Sequence, residues 1–272
     1  MLQKKVNLFG LLIDDINMDR ALEMSREALA NGEQKSFFTP NLEILDGVRK
    51  SASMCAILNS ANVSLPDGVG IKIVSNLLGQ PIKNTVPGID FGENLLNLAA
   101  KEGKSVFLLG GKEGVAERAA EKLKNKYDNL QIAGVHHGYF GDEEFQGVCK
   151  NINDSKADIL IVCRGFPRQE KFVFMAKHHL SGVKIFACLG GALDVWSGDK
   201  SRAPSFVIKL HLEWLFRILC EKDRVQRFVI SLDTLLLAIK IWFENLRDRL
   251  VIKRGAYAYN RTSKSVELRA WR

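Results

Sequence analysis

The sequence predicts an α/β protein, in which a mostly parallel, Rossmann-like sheet carries helices on both faces and a helical appendage follows at the C-terminus. Short, almost continuously apolar segments alternate with amphipathic ones, as expected for buried parallel strands connected by helices. The 272 residues, 46% of them hydrophobic, are enough to bury the core that a sheet covered on both faces requires.

The predicted strands and helices pair in order along the first two hundred residues. Strand-like "KSFFTP" precedes helix-like "NLEILDGVRKSASMCAILNSA", "NVSLPDG" precedes "VGIKIVSNLLGQ", and "KSVFLLGG" precedes "KEGVAERAAEKLKNKY". "LQIAGVHHGYF" then precedes "EEFQGVCKNIND", "ADILIVCRGF" precedes "PRQEKFVFMAKHHL", and "VKIFACLGGALDVW" precedes "APSFVIKLHLEWLFRIL". We therefore divide the chain into a core, residues 1–199, and an appendage, residues 200–272.

The beginning of the chain and its cysteines predict a cytoplasmic protein. The apolar stretch in "MLQKKVNLFGLLIDDI" is too short for a signal peptide. The five cysteines have neither paired nor CxxC spacing, which indicates a reducing compartment and disfavours a structural zinc site. The two pairs of adjacent histidines are poor candidates for metal ligands, because neighbouring side chains point in different directions.

The net charge of +8 is concentrated in the appendage. Residues 200–272 hold 16 Lys and Arg against 7 Asp and Glu, whereas residues 1–199 hold 23 against 24. A basic segment of this kind attracts nucleic acid, anionic lipid or a phosphorylated substrate. The high apolar content of the appendage argues against nucleic acid as the partner, because an arm that follows a phosphate backbone is mainly polar and basic.

The segment "RFVISLDTLLLAIKIWFENLRDRLVIKR", which starts at Arg227, is long and apolar but is interrupted by Asp233 and Lys240. A charge near a bilayer centre costs about 2.5–3.5 kcal/mol, so we do not expect this segment to span a membrane. Its interleaved aromatic and basic residues predict an amphipathic helix at an anionic inner-leaflet surface. The alternatives are packing on the core or in a homo-oligomer. We expect the last twenty residues to be solvated or disordered.

Ligands of parallel α/β sheets bind outside the carboxyl ends of the strands. Candidate site residues at or just after predicted strand ends are Thr39, Asn41, Asp67, Gly110, Gly111, Arg164, Gln169 and Asp194. The glycines of "LLGGKEG" open a helix and would let backbone N–H groups approach a phosphate. A plain tight turn explains the same glycines equally well.

The stretch "LPDGVG" places Asp67 between a proline and a glycine. This pattern is typical of a turn, since proline sets φ, aspartate bonds to nearby backbone and glycine closes the turn. The same position at a strand end suits a carboxylate that accepts a proton during catalysis. The local pattern leaves both interpretations open.

Several ordered motifs together resemble a known family. They are "TPN", "LPDGVGI", "PGID", "LLGG", "GYF", "GFPRQE" and "RAP...LEWLFR...R..R". Between about Val6 and Arg227 the chain resembles the WecG/TagA/CpsF family of bacterial glycosyltransferases, family 26. The resemblance implies transfer of a sugar from a UDP-sugar to an undecaprenyl-diphosphate-linked sugar at the cytoplasmic membrane face. The best expectation is N-acetylmannosamine, transferred with inversion to the 4-hydroxyl of GlcNAc. Another UDP-hexose or a UDP-uronate is the alternative donor.

The resemblance also implies roles for individual residues. Asp67 corresponds to the proposed catalytic base, Thr39 and Asn41 to the strand-end polar pair, and Gln169 to the glutamine of the family's PKQE segment. Three appendage arginines are expected to reach the substrate diphosphates: Arg217, Arg224 and Arg227.

Two departures from the family pattern concern charge. Thr85 stands where an arginine is expected before "PGID", and Arg164 stands where a small or apolar residue is expected. The gained cation would compensate for the lost one if both positions reached the same anion. A changed donor sugar is the other explanation.

Glycosyl transfer needs a base for the acceptor hydroxyl and positive charge on the departing UDP. The chain has no DxD-type motif between a strand and a helix, so we expect arginines and backbone N–H groups to replace a metal ion. Two other functions fit the strand–helix pattern or the basic tail: a nucleotide-dependent oxidoreductase and a noncatalytic module that binds a membrane surface.

Overall fold

The computed structural model describes residues 4–209, 213–220, 229 and 232–247. It contains a six-stranded sheet in which each pair of neighbouring strands runs parallel. Helices cover both faces of this sheet, so the predicted α/β fold class is confirmed. The boundary between core and appendage at residue 199 stays a prediction.

The sheet follows a short antiparallel ribbon that the sequence did not reveal. The ribbon consists of β1 (Lys5–Leu8) and β2 (Leu11–Asp14). The strands of the sheet are, in chain order, β3 (Lys35–Phe38), β4 (Val63–Ser64), β5 (Ser105–Gly110), β6 (Gln131–His136), β7 (Ile159–Cys163) and β8 (Ile185–Cys188). Across the sheet they lie in the order β4–β3–β8–β7–β5–β6.

Helices connect the strands and cover them. On one face lie α1 (Met18–Asn31), α5 (Gly88–Glu102), α6 (Val115–Lys126) and α9 (Ala192–Trp196). On the other lie α2 (Leu42–Arg49), α3 (Ala52–Asn59), α4 (Val69–Leu77), α7 (Phe145–Ser155) and α8 (Arg168–Ala176). A 3-10 turn (Asp142–Glu144) precedes α7. In the appendage the structure describes α10 (Ser205–Lys209), α11 (Glu213–Cys220) and helical residues 232–247, called the C-terminal helix below.

The strands divide their side chains between two buried clusters, because successive residues of a strand point to opposite faces. Phe37 and Leu108 belong to one cluster, whereas Phe38 and Leu109 belong to the other. A strand buried on both faces must be almost continuously apolar, which explains the apolar runs in the sequence.

One predicted helix is two helices in the structure. The segment "NLEILDGVRKSASMCAILNSA" breaks after α2, and Ser51 begins α3 as its N-cap. The Ser51 backbone is extended, with φ of −146°, and its hydroxyl accepts a hydrogen bond from the Met54 N–H at 3.3 Å. Serine competes with helical backbone bonds in this way and is therefore favoured at a helix start.

The helices among the described residues include none with both the length and the apolar character needed to cross a membrane.

Candidate active site

A cavity of about 730 Å³ lies at the carboxyl ends of β3, β4, β7 and β8. Four predicted site residues line it: Thr39, Asn41, Asp67 and Gln169. Four helices, α2, α4, α5 and α8, begin at this cavity, since residues at or beside their first turns line its wall. The sheet edge therefore collects these side chains as the strand-end rule predicts.

Thr39 and Asn41 follow β3, and each side chain already makes one structural bond. The Thr39 hydroxyl donates to the Cys188 carbonyl oxygen at 2.9 Å, which joins the ends of β3 and β8. The Asn41 Oδ1 accepts from the Ile44 N–H at 3.0 Å and caps α2. The threonine oxygen retains its acceptor lone pairs, and the asparagine cap uses only the amide oxygen. Both side chains can therefore hold a substrate hydroxyl while they stay fixed to the fold.

Asp67 lies in the loop between β4 and α4. Its N–H donates to the Pro40 carbonyl oxygen at 3.1 Å, so this loop is tied to the segment that follows β3. Gly68, the N-cap of α4, has φ of +83° and ψ of 163°, a conformation essentially restricted to glycine. The loop is thus a built turn, and it presents the Asp67 side chain to the cavity. The two interpretations of "LPDGVG" are compatible.

Gln169 begins a chain of hydrogen bonds that the sequence did not predict. Its Oε1 accepts from the Gly190 N–H at 3.0 Å, and its Nε2 donates to Glu170 Oε1 at 2.8 Å. Glu170 is fully buried, and its Oε2 has no hydrogen-bond partner among the described residues. Burial raises the pKa of Glu170 to about 7 because a low-dielectric interior disfavours the charged carboxylate. Gln169 therefore fixes the turn after β8 and is itself held by a carboxyl group.

A second unpredicted feature is an ion pair between the core and the appendage. Asp90, in the first turn of α5, lines the cavity and pairs with Arg202. A second contact joins Arg202 Nη1 to Glu93 Oε1 at 3.9 Å. Burial opposes the charge of Arg202, but the hydrogen bond and charge of Asp90 outweigh it and raise the pKa of Arg202. An acid in "PGID" and a cation in "RAP" were the available sequence signals for this pair.

Arg164 does not line this cavity. It lines a smaller one of about 340 Å³ together with Tyr139, Phe140 and Arg168. Its Nε donates to the Gly138 carbonyl oxygen at 2.8 Å, its Nη2 donates to the Phe140 carbonyl oxygen at 3.0 Å, and its guanidinium carbon lies 3.6 Å from the Phe140 ring centroid. Burial, assisted by the Arg168 charge, lowers the pKa of Arg164 to about 10.

Thr85 lines the larger cavity. The structure thus does not bring Arg164 and Thr85 to one cavity, which gives the predicted charge compensation no geometric support. A contribution of Arg164 to substrate binding stays a prediction.

Gly110 and Gly111, at the end of β5, also lie outside the larger cavity. A Cβ on Gly110 would come within 2.3 Å of the Cys163 carbonyl oxygen, and the Gly111 N–H donates to that same oxygen at 3.2 Å. Because β5 packs closely against β7, there is no room for a side chain at Gly110, and a tight turn is enough to explain both glycines. Their predicted contact with a phosphate remains untested.

The carboxylates in the wall of the larger cavity outnumber its cations. The acidic residues that line it are Glu43, Asp67, Asp90 and Glu213, whereas Lys72 is the basic residue among the described ones that do so. Trp214 and Ile208 of the appendage also line it. The appendage therefore forms part of the site.

Comparison with known proteins shows the family of the chain. A profile of the glycosyl transferase WecG/TagA/CpsF family matches residues 6–250. This chain belongs to that family. It is 36% identical over 191 residues to the N-acetylglucosaminyldiphosphoundecaprenol N-acetyl-beta-D-mannosaminyltransferase of Bacillus subtilis (strain 168), covering 70% of this chain and 73% of the relative. It is 33% identical over 225 residues to the protein of the same name from Staphylococcus aureus (strain MRSA252), covering 82% and 87%.

The appendage arginines of this glycosyltransferase are only partly described. Arg217 belongs to α11, whose backbone is described, but its side chain is not. Arg224 and Arg227 lie outside the described residues. Asp194 lies in α9, where its carboxylate pairs with the Lys200 ammonium at 3.0 Å. The roles of the three arginines remain predictions.

The described part of the glycosyltransferase contains no group of three or more His, Cys, Asp and Glu side chains that could hold a metal ion. His136 and His137 are in ring contact, and Nδ1 of His136 lies 2.8 Å from the His137 carbonyl oxygen. Metal independence of the reaction stays a prediction.

Proposed function

We propose that this glycosyltransferase moves N-acetylmannosamine from its UDP donor to the 4-hydroxyl of GlcNAc on undecaprenyl diphosphate. The observation that carries the proposal is the convergence of Thr39, Asn41, Asp67 and Gln169 in one strand-end cavity. The acceptor and the transferred sugar follow from the names of the two relatives. Family membership favours sugar transfer over the oxidoreductase alternative.

Asp67 acts as the general base in this reaction. Its carboxylate takes the proton of the acceptor hydroxyl while that oxygen forms a bond to C1 of the donor sugar. The bond between C1 and the UDP oxygen breaks on the opposite side, and UDP leaves with the electron pair. The anomeric configuration inverts because attack and departure occur on opposite faces. Thr39 and Asn41 lie in the same cavity wall and orient the acceptor.

The departing UDP requires positive charge. In the proposal this charge comes from Arg217, Arg224 and Arg227, since guanidinium groups bind phosphate oxygens bidentately and stay protonated. No metal ion takes part, so EDTA should leave the rate unchanged. Loss of activity in EDTA, restored by Mg²⁺ or Mn²⁺, would assign the charge to a metal instead.

The names of the two relatives favour an acetamido donor sugar over a uronate.

The enzyme reaches its lipid-linked acceptor by binding the inner face of the cell membrane from the cytoplasm. Support comes from the C-terminal helix, whose outward side exposes Leu236, Phe243 and Leu246. Lys240 and Arg247 lie beside these apolar residues at helical spacing, as in helices that bind anionic lipid. A homo-oligomer that covers the same stripe is the alternative.

A donor panel tests the proposal. UDP-N-acetylmannosamine, UDP-GlcNAc, UDP-glucose and a UDP-uronate should be offered with GlcNAc-diphosphate carried either on undecaprenol in anionic vesicles or on a short soluble alkyl chain. We expect transfer of N-acetylmannosamine to both acceptors and no transfer of the uronate. Preferential use of the uronate would contradict the assigned donor class, and tight NADH binding without any sugar transfer would contradict the proposed reaction.

A further inference from the structure

Asp46, in the last turns of α2, is a buried carboxylate with three donors. Only 3% of this residue is exposed. The carboxylate accepts from the Thr234 hydroxyl at 2.8 Å, from Lys50 Nζ at 2.8 Å and from Arg49 Nη2 at 3.2 Å. Arg49 Nε in turn donates to the Thr234 hydroxyl oxygen at 3.3 Å. Three of these groups belong to α2 or its C-cap, and the fourth belongs to the C-terminal helix.

Apolar contacts continue this attachment along the C-terminal helix. Thr234 and Ala238, one helical turn apart, are fully buried, and Ala238 joins the core cluster that contains Leu45 and Val48 of α2. Leu235 packs against the same cluster. The first turns of the C-terminal helix are thus fixed to the core, and the hydroxyl of Thr234 is the buried polar group that meets α2 in the described part of this helix.

The attachment determines which side of the C-terminal helix faces outward. Leu236 is 61% exposed and Phe243 is 58% exposed, and both lie on the side opposite Thr234 and Ala238. Rotation of the helix by half a turn would bury these apolar side chains against the core and would turn Thr234 outward.

The same helix α2 forms part of the active site at its other end. Its N-cap Asn41 lines the cavity, as do Glu43 and Ile44 of its first turn. A helix of this length spans about 12 Å, at about 1.5 Å per residue. A single short rigid element therefore connects the cavity wall to the attachment of the C-terminal helix.

We propose that Asp46 is a positioning residue: through its hydrogen bond to Thr234 it fixes the C-terminal helix on α2 and so presents the active-site cavity to an acceptor held in the membrane. The role rests on the proposed function, since it concerns a lipid-linked acceptor. Binding to lipid alone needs only the outward apolar side of the helix. Transfer to a membrane-held acceptor needs, in addition, a fixed relation between that side and the cavity.

Thr234→Val is the test variant, because valine keeps the shape of threonine and removes the hydroxyl. Lys50 and Arg49 still donate to Asp46 in this variant, but loss of one hydrogen bond to a charged group is enough to make opening of the helix roughly 10-fold more frequent. We expect hydrogen exchange of amides 235–241 to accelerate by about that factor, since local opening controls their protection. Flotation with anionic vesicles and transfer to the short soluble acceptor should stay at wild-type levels. Transfer to undecaprenyl-linked acceptor in vesicles should fall in the same proportion as the docked population, which limits the loss to about 10-fold at most.

Two further variants control the measurement. Thr234→Ser keeps the hydroxyl and should restore both protection and transfer in vesicles. Asp233→Asn changes the neighbouring carboxylate, which is exposed and lies 3.7 Å from Lys50 Nζ, and should behave like the wild-type protein because exposed ion pairs contribute little.

The outcomes separate the positioning role from the proposed function. Unchanged protection in Thr234→Val, or a lower docked population with unchanged transfer in vesicles, would contradict the role of Asp46. Equal loss of transfer to both acceptors would also contradict it, since the contact would then support the site itself. Absence of transfer by the wild-type enzyme to either acceptor would contradict the proposed function and the positioning role with it.

Discussion

Asp90 of α5 and Arg202 of the appendage form an ion pair at the wall of the candidate active-site cavity. The Nε atom of Arg202 is buried without a hydrogen-bond partner among the described residues. The positive charge of this side chain is therefore balanced by Asp90 and Glu93. The pair ties the beginning of the appendage to the core beside this cavity.

Arg202→Ala should therefore loosen the appendage and lower the free energy of unfolding by roughly 1–3 kcal/mol, the cost of leaving a charged partner unsatisfied. Urea unfolding measures the stability, and hydrogen exchange of amides 205–209 measures the loosening. Arg118→Ala is the matched control, because Arg118 pairs with Asp199 at 2.6 Å but both side chains are largely exposed, where such pairs contribute about 1 kcal/mol or less. Equal effects of the two substitutions would show that the Asp90 pair has no special importance.

Asp67→Asn should lower turnover by roughly 10²–10⁴-fold, the usual contribution of a general base. Asparagine keeps the size of the side chain and most of its turn chemistry but does not accept a proton. The melting temperature and the affinity for UDP should stay close to wild type, as measured by calorimetry. A variant that folds and turns over normally would leave Asp67 as a turn residue, whereas one that unfolds would make its role structural.

Glu170→Gln should remove a pH dependence of stability. Because the pKa of Glu170 is raised to about 7 in the folded protein, the folded state holds a proton that the unfolded state has released. Stability should thus fall as pH rises from about 4.5 to about 7, by roughly 3 kcal/mol for this one group. Urea unfolding at pH 5 and pH 7.5 should show this loss in the wild-type protein and not in Glu170→Gln. Glu117→Gln, on the exposed side of α6, should retain the wild-type dependence.

Phe243→Ser should weaken binding to anionic vesicles without unfolding the enzyme, since this side chain is mostly exposed. Removing a phenylalanine from an apolar contact costs about 1.5–3 kcal/mol, or roughly 10- to 100-fold in partitioning. Flotation measures the binding, and Glu244→Ser, a polar substitution at the next position, serves as control. Undiminished flotation together with dissociation of an oligomer would assign the apolar side of the helix to an oligomer instead.

The sequence predicted which residues line the cavity better than it predicted their hydrogen-bond partners. Thr39, Asn41, Asp67 and Gln169 could be found because parallel strands end at one edge of a sheet, whatever their order. The order itself brings β8 between β3 and β7, and no local pattern encodes it. For that reason the sequence did not separate Gly110, on β5, from the cavity.

Hydrogen bonds between distant residues were also beyond sequence reasoning. Gln169 meets the Gly190 N–H across 21 residues, and Asp46 meets Thr234 across 188. Each of these residues also fits the local pattern of its own helix or turn, so the sequence around it does not indicate the distant contact. The break between α2 and α3 was missed for a different reason: helical apolar spacing continues across it, and the capping role of Ser51 was not weighed.

The convergence of four helix starts on the cavity has an electrostatic consequence. Each helix start carries about +0.5 of an elementary charge from its aligned peptide dipoles, so α2, α4, α5 and α8 direct a positive field into a cavity whose side chains are mainly acidic. A diphosphate is attracted by this backbone field. Backbone dipoles inside a fold are screened by salt far less than surface lysines are. The part of UDP binding that comes from these helix starts should therefore respond weakly to ionic strength, in contrast to the strongly salt-dependent association with anionic lipid that we propose for the basic appendage.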